Sequence, residues 1–231
     1  MYYDLHIHSS LSPCSDDDMT INNIVNMALI KGLDLIAITD HNSYDECKAL
    51  DLVSKDKLKI LYGAELESIE EVHLLGLFDN LDNASKMNIY TKDHLIKEFN
   101  DEYYYGKQLI RDENDNVISK EPYLLIKSLD VCLKELIKVI HKYHGIAILA
   151  HIYDKRYSIH YNLGKIDKDL EFDGVEVKDN NECQRFKDEY HEFRDKLILI
   201  NSDAHNLWNI SEAIHDIDYD LIDKRFKLWK N

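Results

Sequence analysis

Histidines and carboxylates stand where predicted strands end, and these residue types at these spacings are typical of metal sites. His6 and His8 flank one residue of the first predicted strand, so both imidazoles point the same way and can reach one ion. Further ligand types at strand ends are His41, Glu65, His73, His151, Asp203 and His205. A single histidine or carboxylate at a strand end is usually a hydrogen-bonded polar group with no metal. Here, however, every predicted strand except the sixth carries such a residue. The pattern therefore predicts a metal site shared by the whole sheet.

Seven short apolar segments supply the strands that must position these residues. They are Tyr2–His8, Leu33–Thr39, Leu58–Glu65, Val72–Phe78, Gly145–His151, Phe172–Val177 and Leu197–Ser202. Helical patterns alternate with them, and the first begins at an N-cap on Thr20 and ends at Gly32. Such alternation predicts an α/β fold with a mostly parallel sheet, open or closed into a barrel.

Residues 79–130 interrupt this alternation, because they contain no strong parallel-strand pattern. Lys107–Arg111 and Asn116–Ser119 flank the polar turn Asp112–Asp115, which predicts a β-hairpin inserted between the fourth and fifth strands. We therefore interpret residues 1–231 as one domain with an inserted segment at about 79–130 that could cover the site as a lid.

In their order along the chain, these motifs resemble the PHP (polymerase and histidinol phosphatase) domain family. The segments that carry the resemblance are Asp4-Leu5-His6-Ile7-His8-Ser9, Thr39-Asp40-His41-Asn42, Gly63-Ala64-Glu65 with His73, Ala150-His151, and Ser202-Asp203-Ala204-His205. The resemblance implies a distorted seven-stranded (β/α) barrel of the TIM type, with three metal ions at its C-terminal mouth.

The resemblance also implies how the ligands divide among three divalent ions. A first ion would be held by His6, His8, Glu65 and Asp203, a second by Glu65, His73 and His151, and a third by Asp16, His41 and His205. Asp16 is selected by counting back from Thr20, and Asp17 and Asp18 are its rivals. The nitrogen and oxygen donors suit zinc, manganese or iron, and lack the thiolates of closed structural zinc sites.

The chemistry implied by the resemblance is hydrolysis of a phosphoester by a metal-activated water, with Glu65 and Asp203 as catalytic residues. Arg156, or Lys155 beside it, would bind phosphate, and Arg156 is preferred because a guanidinium donates two parallel hydrogen bonds. The expected substrate is a small phosphomonoester, a nucleotide or a short single-stranded oligonucleotide. The alternatives are an amidohydrolase-type metal-dependent nuclease and a non-catalytic metal-binding regulatory module. The Asp-x-His of the last strand and the complete ligand set disfavour both.

Composition limits the partners. The chain has 28 Lys+Arg against 44 Asp+Glu, a net charge of −16, which predicts no binding to duplex nucleic acid. No apolar run approaches the roughly 20 residues of a membrane span, so we expect no membrane association. The 4 cysteines are scattered, which favours a reducing, cytoplasmic location.

Overall fold

The apolar segments form one curled sheet in the computed structural model, which describes residues 1–230. In this part of the chain the strands are β1 (Tyr3–Ile7), β2 (Leu35–Ile38), β3 (Lys59–Glu67), β4 (His73–Phe78), β5 (Leu109–Arg111), β6 (Val117–Lys120), β7 (Ile146–Leu149), β8 (Gly174–Glu176) and β9 (Leu197–Leu199). The order in the seven-stranded sheet is β1-β2-β3-β4-β7-β8-β9, and β5 pairs with β6 alone. This architecture confirms the predicted α/β fold of a distorted TIM-like barrel with an inserted hairpin.

Helices cover the outside of the sheet. Over residues 1–230 they are α1 (Ile21–Ile30), α2 (Cys47–Ser54), α3 (Leu81–His94), α4 (Glu102–Tyr105), α5 (Leu133–Lys142), α6 (Ile159–Leu163), α7 (Asn180–Glu189) and α8 (Tyr219–Leu228), with 3₁₀ turns at His191–Phe193 and Leu207–Asn209. The Thr20 side chain accepts from the Asn23 amide and caps α1, as the sequence predicts. No helix in the described part of the chain has the length and apolar character of a membrane span.

One strand runs against the others, which the alternation of strands and helices did not predict. β4 pairs antiparallel with β3 and with β7. The connection from Ser68 to Val72 is too short for the crossover that parallel neighbours need, so the chain must turn back directly. Because of this reversal the beginning of β4, with His73, lies at the same edge of the sheet as the ends of its neighbours.

The first and last strands meet at the end of the barrel that carries the predicted ligands. A parallel bridge joins Ile7 to Ala204, and the His8 amide donates to the Ala204 carbonyl at 2.9 Å. The pairing of β1 with β2 shifts register between Asp4 and Ile7. Leu5 consequently belongs to the apolar cluster that fills the barrel, whereas Ile7 belongs to the cluster beneath α1. This closure places the residues around Ala204 beside His6 and His8.

The inserted segment packs against the loops at the barrel mouth. Its hairpin lies within two residues of the predicted limits. The turn end of the hairpin is fixed by Arg111, whose amide donates to Glu46 at 2.7 Å and whose Nε donates to the Ser10 hydroxyl at 3.1 Å. On the return path, the Asn42 side chain donates to the carbonyls of Leu125 and Lys127, both at 2.8 Å. These contacts attach the insertion to the loops that carry the metal-ligand motifs.

Glu46, which accepts from Arg111 beside the hairpin turn, should make stability depend on pH. Burial raises the pKa of this carboxyl to about 8, and the hydrogen bond from Arg111 offsets only part of that rise. Between the ordinary pKa of 4.5 and the raised pKa of about 8, the folded protein keeps a proton that the unfolded chain releases. The free energy of unfolding of the wild type therefore falls as the pH rises through this range. We expect Glu46→Gln to be more stable than wild type by up to a few kcal/mol above about pH 8, and equal near about pH 4. Urea unfolding across this range is the measurement, and a difference that does not vary with pH would contradict the prediction.

Candidate metal centre

Four ligand atoms from four residues converge at the closed seam of the barrel. The Nε2 atoms of His6 and His8 lie 3.1 Å apart, and Asp203 Oδ1 lies 3.3 and 3.2 Å from them. Glu65 Oε1 is 3.4 Å from His6 Nε2. Ligands at about 2.1 Å from one tetrahedral ion are separated by roughly 3.4 Å, so this spacing fits a single divalent ion. The four residues are the ones predicted for the first ion.

Neighbouring groups fix which nitrogen of each imidazole faces the centre. His6 Nδ1 donates to both Glu176 oxygens, at 3.1 and 3.0 Å. His8 Nδ1 donates to the Ser12 hydroxyl at 2.9 Å, and that hydroxyl donates to Asp40 at 2.6 Å. Both Nε2 atoms therefore turn their lone pairs inward, as metal-binding imidazoles do. The buried Asp203 Oδ1 has no hydrogen-bond partner among residues 1–230, and a cation would satisfy it.

Glu65 stands at the middle of the cluster. Its Oε1 lies 2.8 Å from His73 Nδ1 and 3.0 Å from His151 Nε2, and its Oε2 lies 3.0 Å from His41 Nδ1. Contacts of 3.4 and 3.5 Å to His6 and His8 bring five imidazoles around one carboxylate. Burial alone would raise the pKa of Glu65, but the charges of His73, His6 and His41 lower it well below its ordinary value. The carboxylate is therefore ionised and available to cations on several sides.

Eight of the nine predicted metal ligands come together at this end of the barrel. They are His6, His8, His41, Glu65, His73, His151, Asp203 and His205. Ligand atoms of His8, His41 and His205 form a further group within 4.8 Å of one another, as do those of His41, Glu65 and His73. Asp16 does not join them. Its amide donates to the His205 carbonyl at 3.0 Å, but the residue is exposed and does not line the cavity beside the cluster.

Two of these predicted ligands have unusual backbone conformations. His151 has a φ of 29° and Asp203 a φ of 50°, in a region that residues other than glycine seldom adopt. Each follows the end of a strand, where the surrounding sheet can hold such a conformation against its cost. Strain of this kind is concentrated at functional sites.

A cavity of about 490 Å³ opens beside the cluster. Lys155 and Arg156, the two side chains predicted as phosphate-binding candidates, both line it. Tyr157 lies parallel to the His73 ring, with 4.7 Å between the ring centres, and Ile126 reaches the same cavity from the inserted segment. The cavity thus combines candidate ligands, cationic side chains and apolar surface, as a small-molecule site requires.

Three residues near the centre were missed in the sequence. Glu176, which orients His6, ends β8, so the sixth strand of the sheet contributes a carboxylate that positions a candidate ligand, although no ligand was predicted on that strand. The sequence feature that could have identified Glu176 is a carboxylate placed between two valines, Val175 and Val177, which are buried. Glu67 lies 3.3 Å from His73 Nε2, two residues beyond Glu65 on the same face of β3. Cys14 lines the cavity next to His41 and His205.

Glu176→Gln tests whether the orientation of His6 matters. The amide can accept only one hydrogen bond from His6 Nδ1 with its oxygen and lacks the negative charge that strengthens the imidazole as a ligand. We expect metal affinity or turnover to fall by about 10- to 100-fold while the fold is kept. Metal titration and steady-state kinetics measure this, with the exposed Glu171→Gln as the matched control. Equal behaviour of the two variants would contradict the role of Glu176.

Comparisons with known proteins agree with this geometry. A family model for the PHP domain matches residues 4–227. No curated protein matches the chain. Among solved structures, a lesion-specific endonuclease from Pyrococcus furiosus has a TM-score of 0.68 at 20% identity, over 89% of this chain and 48% of that one.

Two further structures share the fold. An Endonuclease Q complex with a 27-mer duplex carrying an abasic lesion has a TM-score of 0.70 at 20% identity, over 97% of this chain and 56% of that one. A candidate metal-dependent phosphoesterase from Bifidobacterium adolescentis has a TM-score of 0.66 at 17% identity, over 97% of this chain and 95% of that one. The chain thus spans about half the length of the endonucleases it resembles. At these identities the likeness shows the fold alone.

Proposed function

We propose that this chain, which belongs to the PHP domain family, hydrolyses a small phosphomonoester or the phosphate end of a nucleotide or short oligonucleotide at a centre of three divalent ions. As a member of this family the chain is a hydrolase that acts on phosphoester bonds. The observation that carries the proposal is the position of Glu65, an ionised carboxylate among five histidines beside a cavity that Arg156 and Lys155 also line.

The proposed ion sites follow the grouping of the side chains. His6, His8, Glu65 and Asp203 would hold one ion, and His73, His151 and Glu65 would hold a second. A third ion would lie at His41 and His205, where the sequence suggested Asp16 as the additional ligand. Zinc, manganese and iron all accept this donor set. Bound divalent ions supply Lewis-acid charge to phosphoryl oxygens and activate water.

The side chains of the chain itself have separate tasks in this proposal. Glu65 and Asp203 supply the negative charge that would hold the divalent ions. The charge of those ions exceeds that of the carboxylates, so the centre would attract phosphate although the net charge of the protein is −16. Glu176 and Ser12 keep His6 and His8 in one orientation. Arg156 binds the substrate phosphate from outside the metal cluster.

Arg156→Ala should lower kcat/KM without changing metal content. The guanidinium donates paired hydrogen bonds to phosphate, and its loss should cost roughly 10- to 100-fold, which corresponds to a few kcal/mol at most. Arg156→Lys should restore only part of the activity, because a single ammonium cannot reproduce the paired geometry. Steady-state kinetics with elemental analysis is the measurement. If Lys155→Ala is damaging and Arg156→Ala is silent, the neighbouring lysine has this role.

A substrate screen tests the proposed function directly. The metal-loaded protein would be assayed with an aryl phosphate, histidinol phosphate, nucleoside bisphosphates, short single-stranded oligonucleotides and a duplex with an abasic site. We expect release of phosphate or of terminal nucleotides, and no cleavage of the duplex because of the net charge of −16. Cleavage within the duplex would favour a second candidate, an endonuclease, which the likeness to Endonuclease Q suggests. No turnover of any phosphoester would favour a metal-binding regulatory module.

A further inference from the structure

We propose that Tyr157 forms a stacking wall for the base of a nucleotide and thereby selects this class of substrate at the phosphoesterase centre. This inference rests on the proposed function and adds to it what the phosphate is attached to. Three properties of Tyr157 carry it. One face of its ring rests on His73, the rest of the ring is exposed at the cavity, and its backbone is held in a strained conformation.

The ring of Tyr157 has one covered face and one free face. It lies parallel to the His73 ring, with 4.7 Å between the ring centres and 9° between the planes. The residue nevertheless keeps 42% of its surface exposed and lines the cavity beside the candidate ligands. Because His73 covers one face, the exposed part is the other face and the edge of the ring. A free aromatic face of this kind binds nucleobases, since every base has a π-face of its own.

Backbone contacts hold the Tyr157 ring in this place. The His73 amide donates to the Tyr157 carbonyl at 2.8 Å, which ties the loop after β7 to the beginning of β4. The next residue, Ser158, is buried, and its hydroxyl donates to the Asp154 carbonyl at 2.6 Å. Tyr157 itself has a φ of 54°, in the left-handed region that bulky residues seldom adopt. The surrounding contacts maintain this conformation, so the ring has one orientation before any substrate binds.

The stacking geometry determines where a substrate ring would lie. Aromatic rings pair with their centres at least about 4.5 Å apart, so a ring stacked on the free face of Tyr157 would lie roughly 9 Å from the His73 ring. His73 is a predicted ligand of the ions that would hold the phosphate. The stacked ring must therefore be separated from the phosphate by a spacer. The ribose of a nucleotide supplies such a spacer, whereas an aryl ring bonded directly to the phosphate does not.

Other residues of the same cavity suit a nucleotide. Ile126 reaches the cavity from the inserted segment, and it is held there because the Asn42 side chain donates to the carbonyls of the residues on both sides of it. Lys155 and Arg156 supply positive charge for a phosphate. The volume of about 490 Å³ lies within the range of small-molecule sites. The cavity thus offers apolar surface for a base together with cationic groups for the phosphate.

AMP and ribose 5-phosphate test the stacking wall, because a hydroxyl in the second compound replaces the base of the first. We expect the metal-loaded wild type to prefer AMP by about 5- to 100-fold, the range for stacking of one base. Tyr157→Phe should keep this preference because it keeps the ring, whereas Tyr157→Leu should lose it. The preference is measured as a ratio of kcat/KM values, and as a ratio of Kd values where a compound is not hydrolysed. Equal values for the two compounds in wild type, or an undiminished preference in Tyr157→Leu, would overturn the proposal.

Control variants separate stacking from support of the structure. Tyr161→Leu changes an exposed tyrosine of α6 outside the cavity lining and should keep the preference for AMP. Elemental analysis should find equal metal content in wild type and Tyr157→Leu, and a loss of metal in that variant would overturn the proposal by showing that Tyr157 acts through His73. If Tyr157→Leu does not fold, Tyr157→Gly removes the ring and accepts a φ of 54°, so it should lose the preference in the same way.

The binding ratio also separates this inference from the proposed function. A preference for AMP that disappears in Tyr157→Leu, in a protein that hydrolyses no phosphoester, would support the stacking wall while removing the proposed function. Hydrolysis of both compounds with equal kcat/KM would keep the proposed function and overturn the stacking wall.

Discussion

Glu65→Gln is expected to lower turnover by roughly 100-fold or more and to reduce the metal content of the purified protein. The amide keeps the shape of the side chain but loses the charge that five histidines face. The NH₂ group of the glutamine, which replaces one carboxylate oxygen, must also point its N–H bonds toward an imidazole nitrogen or a cation. The barrel should stay folded, because its interior is built by other residues, such as Leu35, Leu61 and Leu75. Kinetics, elemental analysis and circular dichroism together measure the effect.

Glu67→Gln is the matched control on the same strand. Glu67 is also buried, and both lie on β3, but Glu67 meets only His73 among the clustered histidines, at 3.3 Å. Its change should therefore cost much less activity than the change at Glu65. Wild-type turnover and metal content in Glu65→Gln would remove Glu65 from the centre. Equal losses in both variants would assign the effect to charge on β3 in general.

The ligand motifs were predictable from the sequence because they depend on local rules. Residues two apart on a strand share a face, and parallel strands of one sheet end at one edge, so His6, His8 and Glu65 could be placed together before any coordinates. His73 lies at the same edge for a different reason, because β4 is antiparallel and His73 is at its beginning. The short connection before that strand was visible in the sequence and could have predicted the reversal.

Loop conformation was not predictable in the same way. Counting back from Thr20 selected Asp16, but the path of that loop depends on Asp40, more than twenty positions along the chain, and on Gly106 in the inserted segment. Contacts so distant in sequence leave no periodic signal near the loop itself. Asp16, Arg156 and the ion count consequently stay predictions, whereas the convergence of the eight other ligands is a property of the fold.

Helix α3 shows a second limit of pattern reading. It spans Leu81–His94 inside the segment for which only a hairpin was predicted. Its buried face contains Asn83, Ala84, Met87 and Thr91, of which only two are apolar. A helix that covers so little apolar surface leaves a weak periodicity, and tertiary packing decides its existence.

Removal of metal should have the broadest effect on this protein. Chelation leaves Glu65, Asp203, Glu67 and Glu176 close together with only imidazoles to neutralise them, so we expect loss of hydrolysis and a fall in melting temperature of about 5–10 °C. Adding Zn²⁺ or Mn²⁺ back should restore both, with saturation near three ions per chain for the ligand partition proposed above. Calorimetry and elemental analysis follow the two quantities in parallel. A preparation that is fully active with one ion per chain would contradict the three-ion partition. If the melting temperature is unchanged after complete chelation, protonated histidines neutralise the charge of these carboxylates as effectively as bound metal ions do.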